Sequence, residues 1–153
     1  MAVDRLSHIG LCVSDLARSA AFYRDALGFA ERSRLEVAGP EAERLVDLPH
    51  VKLHAVYLER DGTRIELLCF DAPGHVRGET PRPLNQLGLT HLSFRVPDLD
   101  RTAEAIAAAG GSVLEGSRIE NPKYRTKAIF VLDPDGQRIE LLEAPGDPAS
   151  LPG

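Results

Sequence analysis

Cysteine is scarce in this chain of 153 residues: there are two, Cys12 and Cys69. They have neither a C-x-x-C spacing nor the density of a disulfide-stapled secreted scaffold. Both sit in apolar, strand-like runs and read as buried thiols. A basic excess is lacking as well. Lys and Arg number 18 against 23 Asp and Glu, for a formal net charge of −5, which speaks against a nonspecific nucleic-acid binder. No apolar run approaches the roughly 18 residues of a membrane span. The opening Met1-Ala2-Val3-Asp4-Arg5 lacks the basic-then-apolar order of a signal peptide, so a cytoplasmic protein is the expectation. No GxGxxG, Walker loop, nucleophile elbow or HExxH occurs. Readings as an NAD enzyme, an ATPase or a serine hydrolase therefore have no support.

What the chain does have is an internal repeat, and a repeat constrains the whole fold. Leu6-Ser7-His8-Ile9-Gly10-Leu11-Cys12-Val13-Ser14-Asp15-Leu16 returns as Leu89-Thr90-His91-Leu92-Ser93-Phe94-Arg95-Val96-Pro97-Asp98-Leu99, with His8 and His91 83 residues apart. Each copy is an apolar run ending at an Asp that can cap the alanine-rich helix after it. The first helix carries the stripe Leu16, Ala20, Tyr23, Leu27 and stops at Gly28; the second runs through Ala103, Ile106 and Ala109 to Gly110-Gly111. Hairpins repeat too. Asp61-Gly62-Thr63-Arg64-Ile65-Glu66-Leu67-Leu68 matches Asp135-Gly136-Gln137-Arg138-Ile139-Glu140-Leu141-Leu142 at an offset of 74. The difference of nine residues falls most simply in the polar connection 38–50, where a short helical turn is expected.

The pattern predicts strands over 6–13, 29–37, 52–58 and 63–70, then over 88–96, 112–119, 124–132 and 137–143. The stretch 71–87, with Pro73, Gly74, Gly78, Pro81 and Pro83, suits neither a helix nor a central strand and reads as a linker. The expected architecture is α+β: two tandem βαβββ modules, 5–70 and 88–143, in a single domain over 1–153. Each helix covers one face of its own four-stranded sheet. Either half alone would be marginal in size, so the halves are expected to pack on each other or on a partner chain.

Four polar residues fall at equivalent places: His8 and Glu66, His91 and Glu140. Strand alternation sends Ile65 and Leu67 into the helix-covered core and Glu66 to the opposite face. A carboxylate in an apolar strand is costly unless water, a partner or a metal satisfies it. Two imidazoles and two carboxylates suit a divalent cation such as Mn, Fe, Co, Ni or Zn. Such an ion would act as a Lewis acid, and a glutamate beside the substrate would serve as general base. The same placement also suits ordinary structural or surface residues, and spacing alone does not bring the four together.

The sequence resembles the vicinal oxygen chelate superfamily, which includes glyoxalase I, methylmalonyl-CoA epimerase, extradiol dioxygenases and the fosfomycin and bleomycin resistance proteins. The resemblance runs from about Arg5 to Glu143. It rests on His8 to Leu16 followed by Ala21-Phe22-Tyr23-Arg24-Asp25-Ala26-Leu27-Gly28-Phe29, and on Asp133-Pro134-Asp135-Gly136-Gln137-Arg138-Ile139-Glu140-Leu141. It implies a curled mixed-sheet cleft with a metal held by His8, Glu66, His91 and Glu140. A complete His/Glu/His/Glu set is similar to the glyoxalase I pattern. The epimerases more often have Gln where Glu66 stands, and the dioxygenases usually use three ligands. No glutathione-binding group is identifiable. The implied activity is that of a metal-dependent lyase or isomerase: proton abstraction next to a carbonyl of a small oxygenated substrate, with the enediolate stabilised by the metal. Glu140 and Glu66 are the candidate bases, Glu140 first because its strand is closer to the family signature. The alternatives are an extradiol-type dioxygenase and a noncatalytic binding or resistance protein.

Supporting residues are weaker. Arg95 shares the parity of His91 and would line the cleft. Lys123, Arg125 and Lys127 form a positive cluster, with Arg125 and Lys127 on one strand face, able to bind an anionic group or simply to be solvated. Arg64 and Arg138 each lie two residues before a glutamate, as its partner or as rim residues. His50, His54 and His75 have no counterparts and are not expected to be ligands. A homodimer is expected because it would cover open sheet edges, and relatives differ in whether the cleft forms within one chain or between two.

Overall fold

The structure is a computed structural model in which residues 3–147 are described. The chain divides into two compact units with the boundary between Arg77 and Gly78, inside the stretch expected to be a linker.

The first unit contains β1 (Ile9–Cys12), α1 (Leu16–Asp25), β2 (Ala30–Ala38), α2 (Pro40–Val46), β3 (Lys52–Arg60) and β4 (Thr63–Ala72). The second contains β5 (Leu92–Arg95), α3 (Leu99–Ala108), β6 (Ser112–Asn121), β7 (Thr126–Leu132) and β8 (Arg138–Glu143). Each unit forms a four-stranded sheet, in the orders β1-β4-β3-β2 and β5-β8-β7-β6. The opening strand runs parallel to the last one and the other pairs are antiparallel. The expected α+β architecture of two βαβββ modules is what the chain adopts.

Local chemistry accounts for the elements. Asp15 and Asp98 cap α1 and α3, each accepting at 2.9 Å from the backbone N–H three residues on, where a helix has unsatisfied donors. Buried Ala20, Phe22 and Tyr23 of α1 and Leu99, Ala103 and Ile106 of α3 face the sheets. Ile65, Leu67, Ile139 and Leu141 are wholly buried, each contributing about 1.5–3 kcal/mol through the apolar surface removed from water. At Gly111 a Cβ would meet the Leu132 carbonyl oxygen at 2.5 Å. Glycine there lets the chain leave α3 and turn straight onto the sheet.

The two hairpins differ. Asp61 and Gly62 both have positive φ, 50° and 74°, the signature of a two-residue type I′ turn. The second turn is longer and closes around Asp133, whose buried carboxylate accepts from the N–H groups of Asp135 and Gln137 at 2.9 and 2.8 Å.

Several expectations are corrected. β1 and β5 are short, so His8 and His91 stand just before their strands rather than inside them. Residues 122–125 form a turn, with Arg125 at φ 54°. The strand therefore begins at Thr126, and Arg125 does not share a strand face with Lys127. The connection after β2 holds a true helix, α2, entered at Pro40 and left through Asp47 at φ 53°. Its Ala42 and Val46 pack with Val37, Val51, Leu53, Ala55, Leu68 and Phe70. Leu68 and Phe70 share the strand face of Glu66 on β4, so α2 covers part of the sheet face opposite α1. No disulfide joins the cysteines, as expected, but Cys12 is exposed. It shares a strand face with Gly10, away from α1, and β1 is an edge strand.

Candidate metal centre

Each candidate histidine is brought to the glutamate of its own module. In β1 and β4 the parallel register pairs Gly10 with Glu66; in β5 and β8 it pairs Ser93 with Glu140. His8 and His91 lie two residues before Gly10 and Ser93, which returns the side chain to the same face. His8 Nε2 lies 3.1 Å from Glu66 Oε2, and His91 Nε2 lies 3.7 Å from Glu140 Oε2. Two donors at right angles on an octahedral ion, each about 2.1 Å away, are about 3 Å apart. The first pair matches that spacing, and the second is about 0.7 Å wider. Among the described residues, no group of three or more His, Cys, Asp and Glu stands together as a metal cluster. Within each unit the structure shows one His–Glu pair.

The surroundings of each imidazole repeat. His8 Nδ1 is 3.0 Å from the Ser7 hydroxyl, and His91 Nδ1 is 3.0 Å from the Thr90 hydroxyl. Each hydroxyl is placed to accept from Nδ1–H, the tautomer that leaves the Nε2 lone pair for a metal ion; without an ion, the short contact of His8 with Glu66 is made by Nε2–H donating to the carboxylate. Each ring also meets an aromatic edge to face: His8 with Tyr57 at 5.3 Å and 80°, His91 with Phe130 at 5.2 Å and 79°. Tyr57 is the β3 partner of Glu66, and Phe130 the β7 partner of Glu140.

These four neighbours were missed in the sequence. The Ser or Thr before each histidine was visible at the offset of 83. Tyr57 and Phe130 were hidden, because the longer second turn puts them 73 residues apart and not 74.

The carboxylates accept from hydroxyl groups. Tyr57 hydrogen-bonds Glu66; that bond, then burial, then the negative charge of Glu66 hold the phenol above its ordinary pKa, with Arg64 opposing. Ser93 Oγ donates to Glu140 Oε2 at 2.6 Å, a short charge-assisted bond. Glu66 is the more buried, its side chain 13% exposed against 30% for Glu140.

The supporting candidates have partners of their own. Arg64 pairs with Glu59 at 3.1 Å and, together with Arg32, holds that carboxyl below its ordinary pKa. Arg138 lies over the Phe130 ring at 5.4 Å and donates to the Arg82 carbonyl at 3.3 Å. Arg95 donates to the carbonyls of Ala144, Pro145 and Asp147 at 2.8 to 3.2 Å, tying down the chain after β8. Lys127 pairs with Glu143 at 3.4 Å. Arg125 is exposed on its turn. His54 pairs with Asp71 at 3.0 Å.

A family model described as the Glyoxalase/Bleomycin resistance protein/Dioxygenase superfamily matches residues 5–141. The chain belongs to this superfamily. Its superfamily relatives include a probable lactoylglutathione lyase of Vibrio parahaemolyticus, 31% identical over 154 residues and covering all of both chains. An ethylmalonyl-CoA/methylmalonyl-CoA epimerase of Cereibacter sphaeroides is 29% identical, over 91% of this chain and 97% of that one. The crystal structure of a glyoxalase family protein from Bacillus cereus superposes with a TM-score of 0.80 at 22% identity, over 95% of this chain and 99% of that one. The last shows the glyoxalase-like fold. The first two support an enzyme of this superfamily at a coarse level. No helix of the described residues is long and apolar enough to cross a membrane.

Proposed function

We propose that the protein is a divalent-metal-dependent lyase or isomerase that moves a proton at the carbon next to a carbonyl of a small oxygenated substrate. His8, Glu66, His91 and Glu140 are the proposed ligands, and the ion is one of Ni, Co, Mn, Fe or Zn. One observation carries the reading: the same His–Glu pairing occurs in both modules, with the same hydroxyl behind each Nδ1 and the same aromatic edge beside each ring. A structural role for a single pair would not require both copies to keep this arrangement. The relatives named as a lyase and an epimerase support the same class.

When bound, the ion would supply a Lewis acid for the substrate's oxygens. The chain's own part is to take and return the proton. Glu140 and Glu66 are the carboxylates placed to do so, each oriented by a hydroxyl and each with an oxygen turned toward an imidazole. A second copy of the chain is part of the proposal, since the edge strands of both sheets are open and open edges invite pairing. Sedimentation of the purified protein tests that part.

The experiment for the reaction class is proton exchange. The protein loaded with each metal in turn is incubated in D2O with a panel of acyl thioesters and α-hydroxy ketones, and loss of the α-proton is followed by NMR. Metal-dependent exchange that disappears in Glu140→Gln or Glu66→Gln is the expected result. Absence of stoichiometric metal, or oxygen uptake with a catechol in place of exchange, overturns it.

A further inference from the structure

The two modules repeat the histidine's surroundings but not the glutamate's. Glu66 has Gly10 beside it on β1 and Tyr57 beside it on β3, and its hydroxyl donor is Tyr57. Glu140 has Ser93 beside it on β5 and Phe130 beside it on β7, and its donor is Ser93. Each carboxylate therefore has one hydroxyl neighbour, but the two come from opposite flanking strands. Where one flank brings the hydroxyl, the other flank brings a residue without one. Phe130 shows that the ring contact to the histidine needs no hydroxyl. The phenolic oxygen of Tyr57 is thus an addition directed at Glu66.

We propose that Tyr57 and Ser93 are positioning residues, whose hydroxyls turn one oxygen of Glu66 and of Glu140 toward the neighbouring imidazole and hold it there for a metal ion. For Glu140 the geometry is direct: the oxygen that accepts from Ser93 at 2.6 Å is the one 3.7 Å from His91 Nε2. A partly exposed glutamate has several accessible rotamers, and fixing it in advance removes an entropy cost from metal binding. The proposal rests on the four-ligand reading above. It also says that the two flanks are interchangeable. A serine at position 10 would occupy the place that Ser93 holds in the second module. The room exists, because a Cβ on Gly10 meets only Leu68 Cδ1 at 3.4 Å, an ordinary contact, and Gly10 has no positive φ.

The test is a calorimetric titration of the full chain with Co(II) alone, with the visible d–d absorption recorded in parallel and urea denaturation of each metal-free variant. Ser93→Ala and Tyr57→Phe are expected to weaken Co(II) binding about 10- to 100-fold and to shift the absorption band. Ser93→Thr is expected to bind as wild type, and Gly10→Ser added to Tyr57→Phe to recover most of the loss. A purely structural role would not produce this pattern of band shift and rescue. Unchanged affinity and spectrum in both single variants overturn the positioning role and leave the metal reading standing. Loss in the single variants without rescue by Ser93→Thr or by Gly10→Ser overturns it as well. Failure of the wild-type chain to bind Co(II) overturns the metal reading and this proposal with it.

Discussion

His8 Nε2 lies 3.1 Å from Glu66 Oε2 because the segment entering β1 delivers the imidazole onto the sheet face that β4 gives to the carboxylate. His91 and Glu140 have the same relation through β5 and β8. If these pairs are ligands, replacing His91 or Glu140 by Ala should abolish stoichiometric binding of a divalent ion. Both side chains are about 30% exposed, so little packing is lost and the fold should change little. Metal analysis after dialysis, with circular dichroism on the same samples, checks this. Wild-type metal content in both variants would remove the assignment.

Glu66→Gln separates ligation from proton transfer. The amide keeps an oxygen donor but cannot take a proton. Some metal should be retained while turnover falls about 10²- to 10⁴-fold, the usual contribution of a general base. Unchanged turnover would remove Glu66 as a base and leave Glu140 alone in that role.

The Tyr57 phenol gives a pH test in the metal-free protein. The hydrogen bond to Glu66, burial and the Glu66 charge all favour its protonated form. Its folded pKa therefore lies above the ordinary value of about 10. A group raised in this way stabilises the fold fully below its unfolded pKa, and the contribution is lost as pH climbs through the folded value. Tyrosinate absorbance should show a late-titrating phenol that moves to lower pH in Glu66→Gln. An unmoved titration curve would mean that the carboxylate is not the cause.

Gly111→Ala should destabilise the second unit by about 1–3 kcal/mol, the ordinary cost of forcing atoms into a packed region. The added Cβ meets backbone, the Leu132 carbonyl oxygen, at 2.5 Å and Ile106 Cγ2 at 2.7 Å. Gly116→Ala is the control. Nothing lies within 4 Å of its Cβ and its φ is not positive, so the change should fall within about 0.5 kcal/mol. Equal urea midpoints for the two variants would contradict this account of Gly111.

Much of the fold could be read in the chain because it is written twice. The recurrence of His8-to-Asp15 as His91-to-Asp98, and of the Ile-Glu-Leu-Leu runs, showed the succession of elements along each module and the faces of both glutamates. Alternation placed Ile65 and Leu67 in the core, where they are wholly buried. The glutamates' partners were not legible. Tyr57 and Phe130 depend on cross-strand register, and one extra residue in the second turn shifts them out of the repeat. Arg95 and Arg125 were misjudged for a related reason. Parity along a strand says where a side chain starts, not that backbone carbonyls of residues 144–147 will capture it, nor that the strand begins only at Thr126.

α2 is the one element without a counterpart, and it makes the last prediction specific to the first unit. Leu53 lies beneath it, 3% exposed, packed among Ala42, Val46 and Phe70. Leu53→Ala should remove about 2–5 kcal/mol of stability, the transfer free energy of the lost methyl groups plus the cavity they leave. On the sheet, however, Leu53 pairs with Phe70, whereas Glu66 pairs with Tyr57 further along the same two strands. The loss should therefore appear in urea denaturation and leave Co(II) affinity unchanged. A variant that keeps its stability would mean that α2 does not close over this face. One that keeps its fold but loses metal would make the apolar patch under α2 part of the site itself.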